Sequence, residues 1–220
     1  MKKSVLLLSA ILFTFSMQGQ IQTPASSPSA HMEQMVGLTD VTIEYSRPSM
    51  KGRTVFGNLV PFGKIWRTGA NANTTISFST DVTVDGQKLN KGTYAIYTKP
   101  EKDSWEVYFY SETDNGGLPQ KWDDSKVVAK VSAKVYPMSM SVESFTISLD
   151  DLTSESAVLG ILWEKTYVGV KFEVPTDATV MNNINQVMGG PTAQDYYAAA
   201  VYYMDSGKDI AQAKKWIDKS

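Results

Sequence analysis

Three arginine side chains stand close together in a chain that otherwise uses lysine. The sequence contains 18 lysines spread along its length but only three arginines, Arg47, Arg53 and Arg67, which fall within 21 residues. A planar guanidinium group suits paired hydrogen bonds to a carboxylate or phosphate. Pro48 favours an extended Arg47, and Gly52 permits a turn before Arg53. We therefore expect the guanidinium groups of Arg47 and Arg53 to point toward the same place.

The residues around Arg67 would complete a polar pocket. Trp66 offers an indole face on which Arg67 or a ring-shaped ligand could stack, while Asn71 and Asn73 supply neutral hydrogen-bond donors and acceptors. This set predicts a site for a small anionic or carbohydrate-like ligand. The alternative is a long loop fixed by arginines that bond to backbone carbonyls and buried acids, and the sequence leaves both interpretations open.

The composition excludes many enzyme classes. The 220 residues are 42% hydrophobic and 20% charged, but they include no cysteine and a single histidine. The chain therefore has no disulfide, thiol nucleophile, thiolate metal site or His-rich zinc site. His31 follows a Pro/Ser-rich stretch, so we expect an exposed side chain rather than a member of a catalytic triad. We predict no cofactor and no bound metal.

Acid–base chemistry would have to rely on carboxylates. Five aspartates stand among turn-forming residues, which predicts solvated turns rather than a catalytic pair: Asp114, Asp123, Asp124, Asp150 and Asp151. The sequence contains no Asp-x-Asp-x-Asp-Gly calcium-binding pattern. It thus identifies no catalytic residue, and it favours a protein that is not an enzyme.

The N-terminus has the pattern of a secretory signal peptide. Two lysines precede an apolar run from Val5 to Phe15, which small residues follow as far as Gly19. The run is shorter than the ~20 residues that a membrane-spanning helix needs. We therefore predict a cleaved signal peptide over residues 1–19 and a periplasmic or secreted protein with no transmembrane anchor.

The charge of the chain argues against nucleic acid as a partner. The full sequence carries a formal net charge of −2 at pH 7. Cleavage of the leader would remove two lysines and no acid, which makes the mature chain more acidic. An acidic chain has no polycationic field to attract phosphate backbones.

The mature chain divides into three parts by its patterning. Residues 20–30 are rich in Pro and Ser and predict an extended linker. Residues 31–175 show apolar residues that alternate with polar ones, with turn residues between the runs, which predicts an antiparallel β-sandwich of about eight or nine strands. Within it, the apolar segments 157–163 and 168–174 predict a central hairpin that turns at residues 164–166.

The periodicity changes to that of helices over residues 176–220. Val180, Ile184 and Val187 fall on one helical stripe, and a second stripe begins near Tyr196. Asp209 is placed to cap a third helix. We predict a C-terminal helical hairpin similar to a single tetratricopeptide repeat, which would pack on the sheet, bind a protein partner, or belong to a longer repeat array.

Four sequence blocks resemble a known family. YSRPSMKGRTVFG, LVPFGKIWRTGANANTTISFS, LNKGTYAIYTKP and ILWEKTYVGVKFEV are similar to successive motifs of the secreted bacterial family called domain of unknown function 2911, over roughly residues 28–174. The resemblance implies export from a Gram-negative bacterium, and members often carry a tetratricopeptide-like tail. It implies no activity, but it places eight residues in the family motif: Arg47, Pro48, Gly52, Arg53, Trp66, Arg67, Gly69 and Asn71.

These observations lead to one functional hypothesis and two alternatives. We expect an exported, non-catalytic binding or envelope-associated module that captures an anionic or sugar-acid ligand through its arginines. The first alternative is an envelope glycan hydrolase or lyase that uses the arginines to stabilise negative charge. The second is a structural module whose C-terminal helices dock a protein.

Overall fold

The computed structural model describes residues 23–220. The predicted signal peptide over residues 1–19, its cleavage site and the first residues of the predicted linker lie outside the described residues. In the described part of the chain, no helix is long and apolar enough to cross a membrane.

Nine strands, one short 3₁₀ turn and three helices follow one another along the chain. The strands are β1 Ser29–Val36, β2 Thr39–Ser46, β3 Thr75–Phe78, β4 Val82–Val84, β5 Gln87–Leu89, β6 Gly92–Pro100, β7 Ser104–Tyr110, β8 Val127–Asp150 and β9 Ser156–Glu173. The 3₁₀ turn is Asp124–Lys126, and the helices are α1 Thr176–Val187, α2 Ala193–Asp205 and α3 Ile210–Ile217. The mainly β class and the helical C-terminal part are therefore confirmed.

The strands form one antiparallel sheet that folds over on itself. Their order is β1-β2-β3-β6-β7-β8-β9-β4-β5. The long strand β8 joins the two parts of the sheet, because its first third pairs with β7 and the remainder pairs with β9. One hydrophobic core draws on both parts, from Ile43 and Phe109 to Trp163 and Phe172. The result is the sandwich-like architecture that the alternating pattern predicts.

The predicted central hairpin is wrong. Residues 156–173 form the single continuous strand β9 rather than two strands and a turn. Glu164 has a left-handed φ of +54°, and the register of the β8–β9 pairing shifts near the Val142–Glu164 pair. The polar break therefore marks a kink inside one strand.

The three helices agree with the predicted periodicity. Asp209 caps α3, since its carboxylate accepts hydrogen bonds from the backbone amides of Ala211 and Gln212. The hydroxyl of Tyr202 donates to Asp177 over 2.7 Å, which ties α2 to the start of α1. An apolar groove of about 190 Å³ lies between α1 and α2. The likeness to a tetratricopeptide repeat and the docking of a protein partner stay predictions.

The segment before the sheet is tied to the long β2–β3 connection. β1 begins at Ser29, so the last two residues of the predicted linker are already part of a strand. The carbonyl of Pro28 accepts a hydrogen bond of 2.8 Å from the amide of Arg47, and the carbonyl of Ser27 accepts one of 3.1 Å from Asn71 Nδ2. These contacts place residues 27 and 28 beside the arginine-bearing segment.

Candidate functional site

All six predicted site residues lie in the connection between β2 and β3. This connection runs from Arg47 to Thr74 and contains only isolated bridges, one of which pairs Trp66 with Thr98 of β6. A second attachment uses β8, where the amide of Phe145 donates to the carbonyl of Pro48. A long connection that is fixed at several points can hold side chains in place without being a strand.

Arg47 points to β8 rather than to the other arginines. Its Nε donates to the carbonyl of Phe145 over 3.0 Å, and its Nη2 donates to Thr146 Oγ1 over 2.8 Å. The side chain is only partly exposed. Arg47 thus fastens the start of the connection to the sheet, and the structure does not bring it to a common point with Arg53.

Arg53 folds back over the turn that precedes it. Lys51 and Gly52 both have left-handed φ values, +49° and +73°, as the predicted turn requires. Arg53 Nε then donates to the carbonyl of Met50 over 2.8 Å, and Nη2 donates to the carbonyl of Ser49 over 2.7 Å. Two backbone carbonyls thus hold the guanidinium group in place.

Arg67 is held in a similar way on the other side of the connection. Its Nη1 donates to the carbonyl of Asn71 over 2.9 Å. Gly117, from the connection between β7 and β8, packs against the same guanidinium, where a Cβ would come within 2.6 Å of Nη1. Asn71 has a left-handed φ of +59°, which turns its carbonyl toward the arginine.

Arg53 and Arg67 line one open cavity, which we call the cationic cleft. Its volume is about 620 Å³, and its lining includes Lys51, Arg53, Trp66, Arg67, Asn71 and Trp163. The lining contains three cationic side chains and no carboxylate. Within residues 23–220, none of these three cations forms an ion pair. Among the described residues, the carboxylate of Glu143 approaches the backbone amide of Lys51 but forms no ion pair with a cation of the cleft.

Trp66 lines the cleft and packs against three aromatic side chains of the core. Its ring stacks on that of Trp163 at a centroid distance of 5.8 Å and an interplanar angle of 18°. Phe145 and Trp105 meet the same ring edge-on at 5.2 and 6.3 Å. Trp66 Nε1 donates to the carbonyl of Gly69. The indole thus continues the aromatic core up to the floor of the cleft.

Asn73 belongs to a buried polar cluster outside the cleft. Its Nδ2 donates to the hydroxyl of Tyr97 over 2.6 Å and to Asn115 Oδ1 over 2.7 Å, while its Oδ1 accepts from the amide of Gly117. Burial raises the pKa of Tyr97, although its side-chain hydrogen bonds with Asn115 and Asn73 act in the opposite direction. Asn73 therefore positions Gly117, which in turn lies against Arg67.

Among the lining residues that sequence reasoning missed are Lys51 and Trp163. Lys51 stands two positions before Arg53, so its place in the same block was a usable signal. Trp163 lies in β9, far along the chain, and only the folded sheet brings it beneath Trp66. The carboxylate of Glu143 accepts a hydrogen bond from the amide of Lys51 without lining the cleft.

Among the five predicted turn aspartates, Asp123 and Asp150 accept hydrogen bonds from neighbouring side chains. Asp123 accepts from the amide and hydroxyl of Ser125, and this hydrogen bonding lowers the pKa of Asp123. Asp150 accepts from the hydroxyl of Tyr167 over 3.0 Å. Among the side chains of residues 23–220, no group of three or more His, Asp or Glu is arranged to hold a metal ion.

Most of the chain matches one known protein family. The family described as protein of unknown function (DUF2911) matches residues 27–172, which is more than half of the chain. The chain belongs to this family. The DUF2911 region spans β1 to nearly the end of β9 and includes the whole cationic cleft apart from residue 26. No curated protein and no solved structure matches the chain.

Proposed function

We propose that the protein is a non-catalytic module that binds a small anionic ligand in the cationic cleft. The ligand would carry a carboxylate or phosphate group, and a sugar acid combines such a group with a polar ring. The observation that carries the proposal is the lining itself, in which Lys51, Arg53 and Arg67 face one cavity with no carboxylate among them. Its volume of about 620 Å³ suits a small organic ligand.

The way in which the arginines are held supports binding. Backbone carbonyls orient Arg53 and Arg67 without cancelling their charge. A guanidinium group has five N–H donors, so each of these side chains keeps donors for a ligand. Side chains that are fixed before binding lose less conformational entropy when the ligand arrives. The loop-fixing role that we considered as the alternative is therefore compatible with an anion site.

The absence of a carboxylate from the lining favours binding over glycan cleavage. A hydrolase or lyase needs a general acid or base within hydrogen-bond reach of the bound substrate. The location would be periplasmic or secreted in a Gram-negative bacterium, on the strength of the signal-peptide pattern. In that compartment the module would meet carboxylate-bearing and phosphate-bearing envelope components.

Isothermal titration calorimetry with glucuronate, inorganic phosphate and neutral glucose tests the proposal. We expect binding of at least one anion, no binding of glucose, and an affinity that falls as salt is added. Arg53→Gln and Arg67→Gln should each weaken binding about tenfold or more, because each removes a charge-assisted hydrogen-bond donor. Arg47→Gln is the matched control, since Arg47 does not line the cleft, and it should keep the affinity of the wild type.

Two results would count against the proposal. One is no heat of binding from either anion at millimolar concentration with a folded protein. The other is equal loss of affinity in all three arginine variants, which would show that the fold of the connection matters rather than the charges of the cleft.

A further inference from the structure

The first strand of the sheet leaves one side of its backbone open. β1 lies at the end of the strand order and pairs only with β2 among the strands of residues 23–220. The Pro28–Arg47 pair is hydrogen-bonded, and hydrogen-bonded pairs alternate along an antiparallel ladder. The even-numbered residues of β1 therefore bond to β2, whereas Ser29, His31, Glu33 and Met35 direct their N–H and C=O groups away from the sheet.

This edge lacks two of the features that often prevent strand addition, namely a short length and a proline or lysine. β1 is eight residues long and keeps an unbroken register with β2. Its sequence SAHMEQMV contains no proline and no lysine. The opposite edge of the sheet, β5, has only three residues and includes Lys88. Of the two edges, β1 is the one that can accept another strand over an appreciable length.

We propose that β1 pairs antiparallel with β1 of a second copy of this chain, in a homodimer whose two-fold axis passes beside Met32. Only residues with outward backbone groups can exchange hydrogen bonds across such an axis. With Met32 opposite Met32 of the second copy, all four outward residues find partners: Ser29 pairs with Met35, and His31 pairs with Glu33.

The positions of His31 and Glu33 favour this register over the two adjacent ones. A shift by one pair in either direction places His31 opposite His31 of the second copy, or Glu33 opposite Glu33, and also shortens the ladder. The central register instead sets an imidazole against a carboxylate twice. His31 already lies 3.3 Å from Glu44 of β2, so its imidazole would be flanked by two carboxylates in the dimer.

Pairing would also bury the side chains near the two-fold axis more completely. Ala30 and Met32 pack on the hydrophobic core but remain only partly buried, because no strand lies beyond β1 in the described chain. Met32 of the second copy would lie opposite Met32 on this face and cover it. The carbonyl of Met35 already accepts from Gln34 Nε2 over 2.9 Å, and a carbonyl oxygen can accept a second hydrogen bond.

Sedimentation of the purified protein over a range of concentrations tests the dimer. We expect a monomer–dimer equilibrium, and we expect Glu33→Pro to weaken it about tenfold or more because it removes two intersubunit hydrogen bonds per dimer. Glu33→Ala keeps the backbone donor and is the matched control, with a smaller effect. His31→Lys should strengthen the dimer, and Glu33→Lys should weaken it. A monomer at all concentrations up to about 1 mM would overturn the proposal.

A cysteine cross-link tests the register without relying on destabilising variants. The chain has no cysteine, so a single engineered thiol can pair only with its copy. In the proposed register the Cα atoms of residue 32 in the two copies are about 4.5 Å apart, which a disulfide can span. Met32→Cys should therefore form a disulfide-linked dimer on mild oxidation. Met35→Cys should not, although Met35 is 58% exposed, and preferential cross-linking at residue 35 would refute the register.

Discussion

Gly117 lies so close to Arg67 that a Cβ atom at residue 117 would come within 2.6 Å of the guanidinium Nη1. The same Cβ would lie 3.0 Å from the carbonyl of Asn71, the acceptor of the Arg67 hydrogen bond. Gly117 also has a φ of +120°, which side-chain-bearing residues rarely adopt. The connection between β7 and β8 thus fixes one arginine of the cleft through a glycine.

Gly117→Ala should therefore lower both the stability of the fold and the affinity of the cleft for an anion. We expect the free energy of unfolding to fall by about 2–3 kcal/mol, from backbone strain and the contact with Arg67, with a loss of anion affinity. Gly116→Ala is the control, because Gly116 has a φ of +68° but no atom within 4 Å of its Cβ position. Gly116→Ala should lower the free energy of unfolding by about 1 kcal/mol and leave the anion affinity unchanged. Urea denaturation and calorimetric titration measure the two effects.

Arg47→Ala should lower stability while sparing the ligand site. The variant removes donors to the carbonyl of Phe145 and the hydroxyl of Thr146, which are two of the attachments between the β2–β3 connection and β8. We expect a loss of about 1–3 kcal/mol in the free energy of unfolding, measured by urea denaturation. An unchanged stability together with abolished anion binding would show that Arg47 acts on the ligand after all.

Much of the fold follows from local patterns. Alternation around Val41, Trp105 and Val127 predicts strands that the structure contains, and Asp209 caps the helix that its position predicts. These signals succeed because a strand's buried face and a helix cap depend on residues close in sequence. The polar residues 164–166 predict a turn, but the strand continues through them and Glu164 bonds to the amide of Val55, more than a hundred positions away.

The site was predictable only in part for the same reason. The arginine cluster is visible in the sequence because all three residues share one connection. The partners of Arg47 lie in β8, and the ring beneath Trp66 belongs to β9. Which arginines share a cavity therefore depends on contacts between distant segments, and no local pattern encodes them.

Glu106 should make stability depend on pH in the acid range. Hydrogen bonds from Lys130 and then from Tyr108 hold the pKa of Glu106 down to about 2, from an ordinary value of 4.5. A folded-state pKa below the unfolded value stabilises the fold above pH 4.5, and this contribution is lost as the pH falls toward 2. Between those values we expect the wild type to lose more free energy of unfolding than Glu106→Gln.

Urea denaturation of both proteins at a series of pH values provides the measurement. The difference between them should be largest near neutral pH and smallest at about pH 2, where the wild-type carboxyl is itself becoming neutral. A difference that stays constant across the series would show that the glutamine acts through packing and not through the charge of Glu106.

Glu164 has a strained backbone conformation, and its side chain attaches β9 to the β2–β3 connection. Its φ of +54° costs about 1 kcal/mol for a residue with a side chain. Its Oε2 accepts from the amide of Val55 over 3.1 Å and from that of Phe56 over 3.4 Å. The carboxylate thus holds the middle of the β2–β3 connection, whose Lys51 and Arg53 line the cleft.

In a strand, an alanine variant is usually more stable than a glycine variant, and at Glu164 we expect the opposite order of stability. Both Glu164→Ala and Glu164→Gly lose the attachment, but glycine also relieves the left-handed backbone, so Glu164→Gly should be the more stable by about 1 kcal/mol. Lys171 of the same strand is exposed and does not have a positive φ. There Lys171→Ala should be the more stable of the two, because glycine loses more conformational entropy in a strand. The same order at both positions in urea denaturation would refute the strain at Glu164.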